Sequence, residues 1–82
     1  MDNTFDRWMA TAGLVPEGDT WESARDYERV VLKPAYGATR EEALETAKIL
    51  VKDYNNYREE KYRMAKCVIW DREKNTFETI LS

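Results

Sequence analysis

The clearest pattern of apolar and polar positions begins at Thr39. Ala43, Ala47, Leu50, Val51 and Tyr54, supported by Leu44, recur at intervals of three and four, which lines one side of a helix from about Arg40 to Asn55. Thr39-Arg40-Glu41-Glu42 reads as a capping box, in which the Thr39 hydroxyl accepts from the Glu42 amide and the Glu42 carboxylate reaches back to the amide of Thr39. Glu41, Glu42 and Glu45 fall at the positive end of the helix dipole, and Lys48 and Lys52 in its later turns, as the dipole favours.

Other stretches read as strands. Arg63 to Trp70 and Thr76 to Leu81 are β-branched and aromatic runs on either side of the polar segment Asp71-Arg72-Glu73-Lys74-Asn75, the signature of a hairpin. Tyr27 to Lys33 predicts a further strand after a turn over Thr20 to Asp26, and Pro34 marks a strand end or a sheet edge because it cannot donate to a ladder. Near the start, Phe5, Trp8, Met9 and Ala12 sit at helical spacing, with Asn3 or Thr4 available as a cap and Gly13 as a terminator. A short helix over Asn3 to Leu14 is the expectation there, followed by a loop over Val15 to Asp19.

These elements give an α+β fold in the order α-β-α-β-β. They predict a small three-stranded sheet with one long helix packed on a face and the short N-terminal helix at an end or edge. The strands that flank the long helix pair either in parallel through a right-handed crossover or antiparallel; sequence leaves both open. With 82 residues there is room for one domain, residues 1–82, and its core is single and thin. A composition of 43% hydrophobic and 35% charged residues, with two prolines and three glycines, places the chain among folded rather than disordered sequences.

No apolar run is long enough to cross a bilayer, and Met1-Asp2-Asn3-Thr4-Phe5-Asp6 lacks the basic and apolar regions of a signal peptide. Cys67 is the only cysteine, so no internal disulfide can form. A cytoplasmic location is expected, without a membrane partner. Net charge is −3 and uneven: residues 1–26 carry six acids against Arg7 and Arg25, whereas the remainder is close to balanced. An acidic N-terminal third suits a basic protein partner, or simply a solvated surface.

The absence of histidine removes the commonest general base and the usual partner of a serine or cysteine nucleophile. With no histidine and one cysteine there is no zinc ligand set, and no acidic loop has calcium-hand spacing. Gly13, Gly18 and Gly37 are too widely separated for a phosphate-cradling or dinucleotide loop. Cys67 sits beside Val68 and Ile69, where a free thiol reads as a small core residue. No catalytic residue, metal or cofactor is therefore expected, and the chain reads as a binding protein rather than an enzyme.

Two surfaces are candidates for that binding. Trp8, Trp21 and Trp70, with Phe5, Phe77 and five tyrosines, are a rich aromatic supply for a thin core, and Trp, Tyr and Arg dominate binding hot spots. Phe5, Trp8 and Met9 on the first helix, with Glu17, Asp19, Trp21 and Glu22 after it, form the expected partner-binding set, core filling being the alternative for each ring. The second candidate interleaves cations and rings at Lys48, Lys52, Tyr54, Tyr57, Arg58, Lys61, Tyr62, Arg63 and Lys66, as a nucleic-acid surface does.

The junction Val30-Val31-Leu32-Lys33-Pro34-Ala35-Tyr36-Gly37-Ala38-Thr39-Arg40-Glu41-Glu42-Ala43-Leu44-Glu45-Thr46-Ala47 resembles that of small bacteriophage and mobile-element proteins, including phage inhibitors of host RNA polymerase and anti-CRISPR proteins. These share a strand, a Thr or Ser cap, a Glu-Ala-Leu helix and returning strands. The resemblance implies a stoichiometric inhibitor that occludes a host protein or ribonucleoprotein with a basic surface. It transfers no individual binding residue, and the nucleic-acid surface at residues 48–66 remains the alternative.

Overall fold

A computed structural model describes residues 6–82. Five strands form one antiparallel sheet: β1 (Trp8–Pro16), β2 (Val30–Val31), β3 (Ala35–Gly37), β4 (Tyr62–Asp71) and β5 (Thr76–Leu81). A single long helix, α1 (Arg40–Asn55), lies between β3 and β4 in sequence. β1 is central, with β4 along one side and β2 and β3 end to end along the other; β5 pairs with β4 and forms the far edge.

Two expectations are corrected. The sheet has five strands rather than three, and the segment assigned to a short N-terminal helix is the central strand from Trp8 onward; Asn3 to Phe5, where that helix was expected to begin, lie outside the described residues. The physical reason is that the second half of β1, from Ala12 to Pro16, is buried on both faces. Ala10, Ala12 and Leu14 point to one side and Gly13 and Val15 to the other, all of them buried, so from Ala12 onward the run is apolar on both sides and its helix-like spacing carries no information about period. Tertiary pairing on both edges then overrides the helix preference of its alanines.

The expected strand from Tyr27 to Lys33 is also shorter than predicted. Asp26–Glu28 forms one turn of 3-10 helix, and only Val30–Val31 joins the sheet. Leu32 still donates to the Ala12 carbonyl at 3.0 Å, but Lys33 and Pro34 interrupt the ladder before Ala35 resumes it. The β1 strand continues through Val15 and Pro16, beyond the expected loop boundary. A β-turn follows, closed by the Asp19 amide on the Pro16 carbonyl at 3.0 Å, and Gly18 supplies the φ of 97° that its third position needs.

The long helix agrees with its sequence signal in its extent and in the Thr39 half of its capping box, the return bond from the Glu42 carboxylate not being formed. Thr39 caps it by accepting from the Glu42 amide at 3.1 Å, and Ala43 and Ala47 are buried against Ala10, Ala35, Cys67 and Ile69. Trp8, Leu44, Leu50, Met64 and Ile80 pack around this cluster. Alanines at the contact let the helix approach closely, and it sits over β3, β1 and β4 rather than over β5.

β4 carries one irregularity. Gly13 pairs with Lys66 but Leu14 pairs with Met64, so Ala65 is an extra residue in β4, a bulge. The slip places Ala65 beside Val15 and Trp21 on the face away from the helix, and returns Met64 and Tyr62 to the helix side, where Tyr62 meets Tyr54 edge-on at 5.6 Å.

Candidate binding face

Strand alternation decides what lies on the sheet face that α1 leaves uncovered. Tyr36, Met9, Trp70 and Phe77 are consecutive cross-strand partners and form a row across four strands. Two residues along, Thr11, Val68 and Thr79 form a second row, and Val31, Gly13, Lys66 and Leu81 a third. Val31, Phe77 and Leu81 are each more than half exposed. An antiparallel sheet with one covered face ordinarily turns polar residues outward; here the outward rows are largely apolar.

The first row is held rigidly. Trp70 and Phe77 stack with ring centres 5.5 Å apart and planes 4° from parallel, and the Trp70 indole nitrogen donates to Asn75 Oδ1 at 3.1 Å. Asn75 adopts the left-handed region within the β4–β5 loop, which asparagine tolerates well. The Arg72 guanidinium lies 5.7 Å from the ring centres of both Tyr36 and Trp70, and it is anchored by donating to the Asp6 carbonyl at 3.1 Å.

Asp71 pins this corner of the molecule. Arg7 grips it with two bonds, Nε to Oδ1 at 2.9 Å and Nη2 to Oδ2 at 2.8 Å, while Oδ1 also accepts from the Glu73 and Lys74 amides. The Arg7 hydrogen bond, reinforced by these amides, holds the Asp71 carboxyl down at about 2, below its ordinary 3.8. The same pairing raises the pKa of Arg7. The β4–β5 loop that carries Arg72 and Asn75 is thus tied to the start of β1.

At its other end the face is roofed by the segment after β1. Trp21 packs over Ala65, Val15 and Ala24, and its ring sits so close to Gly13 that a Cβ there would fall 2.6 Å from it. Arg29 lies 5.2 Å and Lys66 Nζ 5.1 Å from the Trp21 ring centre, and Arg29 Nε donates to the Trp21 carbonyl at 2.7 Å. Between this roof and the second row lies a shallow hollow of 100 Å³ lined by Thr11, Gly13, Trp21, Val31, Lys66 and Val68. The face is a trough with aromatic ends, each end carrying cations set on its rings.

The structure divides the expected partner-binding set. Met9 belongs to the first row and Trp21 to the roof, whereas Trp8 points to the helix side, packs against the core there and has Arg7 5.2 Å from its ring. Glu17 and Glu22 are exposed and Asp19 half-buried in the roofing segment, and Phe5 lies outside the described residues. Tyr36, Trp70, Phe77 and Arg72 were not in that set. Their signal was the hairpin: extending the first strand by one residue to Asp71 sets Trp70 opposite Phe77.

The interleaved residues of 48–66 do not share one surface. Tyr54 and Tyr62 face each other beneath Arg58, whose guanidinium is 3.9 Å from the Tyr54 ring; Lys61 bonds the Asn55 and Arg58 carbonyls; Lys48 lies 3.7 Å from Glu45; Lys66 is on the opposite side of the sheet.

Cys67 is buried at the helix interface, and burial pushes its thiol up, away from the reactive thiolate. Among the described residues no group of three His, Cys, Asp or Glu side chains converges as a metal would require, and no helix is long and apolar enough to cross a membrane. Comparison with protein-family models, with curated proteins and with solved structures returned no match.

Proposed function

We propose that this protein is a non-enzymatic binding module that acts by seating the open face of its sheet on a protein partner, as a stoichiometric inhibitor does. One observation carries the reading: the row Tyr36, Met9, Trp70 and Phe77, spanning four strands, is ordered by internal contacts yet lies on the face that α1 leaves open, its first three residues half-buried and Phe77 65% exposed. Trp, Tyr and Arg are the residues through which protein interfaces gain most of their affinity, and a row preset by stacking and by Asn75 loses little entropy on binding. Glu17, Asp19 and Glu22 at the roofed end favour a partner whose facing surface is basic.

A second reading, single-stranded nucleic acid, is favoured by Arg72 and Lys66, which are set on aromatic rings as stacking platforms use them. The test runs both. The wild-type protein and a Trp70→Ser, Phe77→Ser variant are used as baits in bacterial lysate, the source that the phage resemblance suggests, and the wild type is titrated with a single-stranded oligonucleotide at two salt concentrations. A protein retained in equimolar amount by the wild type and lost from the variant supports the reading. Tryptophan quenching by the oligonucleotide that weakens steeply with salt overturns it in favour of nucleic acid.

A further inference from the structure

The two edges of the sheet differ in how they are protected. The β2 and β3 edge is cut into pieces of two and three residues by Lys33 and Pro34, devices that prevent pairing with another chain. The β5 edge has none of them. Thr76-Phe77-Glu78-Thr79-Ile80-Leu81 is an uninterrupted six-residue strand without proline, lysine or bulge, and α1 does not cover it.

The pairing with β4 fixes which backbone groups of β5 are free. Leu81 is opposite Lys66, and the Ser82 amide donates to the Ala65 carbonyl at 3.0 Å, so Leu81 and Lys66 form a non-hydrogen-bonded pair. By alternation Thr76, Glu78 and Ile80 turn their amides and carbonyls towards β4, and Phe77, Thr79 and Leu81 turn theirs outward.

We propose that β5 pairs antiparallel with β5 of a second copy of this chain, about a two-fold axis at Thr79. In that register Thr79 faces Thr79 of the partner subunit, and Phe77 faces Leu81 of the partner subunit. All six outward groups of each strand are then satisfied. The pairing also brings together the two most exposed apolar side chains of the edge, 65% and 57% exposed, on the same open face. Pairing of the exposed apolar side chains selects this register over its neighbour. A two-fold axis at Glu78 sets like carboxylates opposite each other and leaves Leu81 without a strand partner, whereas the Thr79 axis sets Glu78 against Ile80 of the partner subunit. Arg40 meanwhile neutralises Glu78 within its own chain through bonds of 3.0 and 2.9 Å. The two sheets become one, and the proposal stands independently of what the open face binds.

Sedimentation equilibrium on the full chain, from about 1 mM down to about 1 μM, spans the range expected of a modest interface. The mass is expected to rise from 9.7 kDa towards twice that value as concentration increases. Thr79→Pro removes an amide that points outward, so it spares the β4 ladder; losing one bond per copy is expected to weaken association about 30-fold. The second measurement is cross-linking under mild oxidation, read on a non-reducing gel, and it does not depend on that variant folding. Thr79→Cys is expected to yield a covalent dimer, since Cα atoms of such a pair lie about 5.5 Å apart, while Glu78→Cys, offset diagonally from its equivalent by about 7 Å or more, stays monomeric. A wild type monomeric throughout, a dimer unchanged by Thr79→Pro, or linkage through Glu78→Cys in place of Thr79→Cys overturns the proposal.

Discussion

The two faces of the sheet differ in what covers them: α1, with Trp8, Leu44 and Leu50 packed around its contact, on one, and only the Trp21 segment at one end of the other. Beneath the helix the contact is made mainly by small residues, Ala10, Ala35, Ala43, Ala47 and Cys67, with Ile69 the largest fully buried member of the cluster. On the other face stand Met9, Tyr36, Trp70, Phe77 and Leu81, much larger and only partly covered. Folding alone would place bulk where it is fully removed from water, since each buried Å² of apolar surface is worth about 25 cal/mol. Trp8 goes to the helix side and packs on the core, so it is the rings that do not, Tyr36, Trp70 and Phe77, whose position the core does not account for.

The two faces therefore answer differently to mutation. The largest effect is expected at Ile69, 1% exposed and central under the helix. Ile69→Ala leaves a cavity that alanine neighbours cannot fill, and a loss of about 2–5 kcal/mol is expected in chemical denaturation. For a domain with a single thin core this is a large share of the total stability, so partial unfolding at room temperature is an acceptable form of the same outcome.

How much of this was legible beforehand follows the same division. The α1 helix and its Thr39 cap were readable because Ala43, Ala47 and Leu50 face one side and charged residues the other, a pattern that exists in sequence before any tertiary contact forms. The β4–β5 hairpin was readable for a similar reason, its polar segment from Arg72 to Asn75 forming the loop, although Asp71, equally polar, ends β4 as the buried partner of Arg7. β1 was not, because its second half is buried on both sides, which erases alternation there, and Trp8, Met9 and Ala12 mimic a helical stripe. The open face was illegible as a face: its residues come from β3, β1, β4 and β5, and only the register of those pairings brings Tyr36 and Met9 beside Trp70 and Phe77.

The roofed end of the open face is intermediate between the two. Gly13 lies under Trp21, and a methyl group there collides with a ring wedged between Ala65, Ala24 and two cations. Gly13→Ala is expected to cost about 1–3 kcal/mol, as overpacking does, and to expose Trp21. A red shift in tryptophan emission with the secondary structure unchanged is the expected signature. An unshifted spectrum at unchanged stability means that the Trp21 roof is loose and belongs to the uncovered region.

A pH-dependent effect comes next, from Asp71 at the end of the helix-side face. Its carboxyl is held at about 2 against an ordinary 3.8, so the folded protein binds the proton less readily than the unfolded chain. The contribution is therefore complete above the ordinary value and is lost as pH falls through the folded one. The thermal midpoint of the wild type is expected to drop between pH 4 and pH 2 more steeply than that of Asp71→Asn, which keeps the loop-closing acceptor but not the charge gripped by Arg7. Parallel curves would separate the loop's anchoring from the Arg7 pair.

The smallest expected effect on stability is the most informative about function. Phe77 is 65% exposed on an edge strand, and its main internal contact is the face of Trp70. Phe77→Ser removes one stacked pair and little buried area, so denaturation is expected to report a loss of about 1 kcal/mol or less. Against Ile69→Ala, the contrast is between a residue the fold requires and one it merely holds in place. Stability alone cannot justify an ordered phenyl ring at the rim of a thin domain, and a near-neutral result leaves intermolecular contact as the reason for its position. A loss as large as that at Ile69 would instead make the open face a second core and remove the asymmetry on which the binding reading rests.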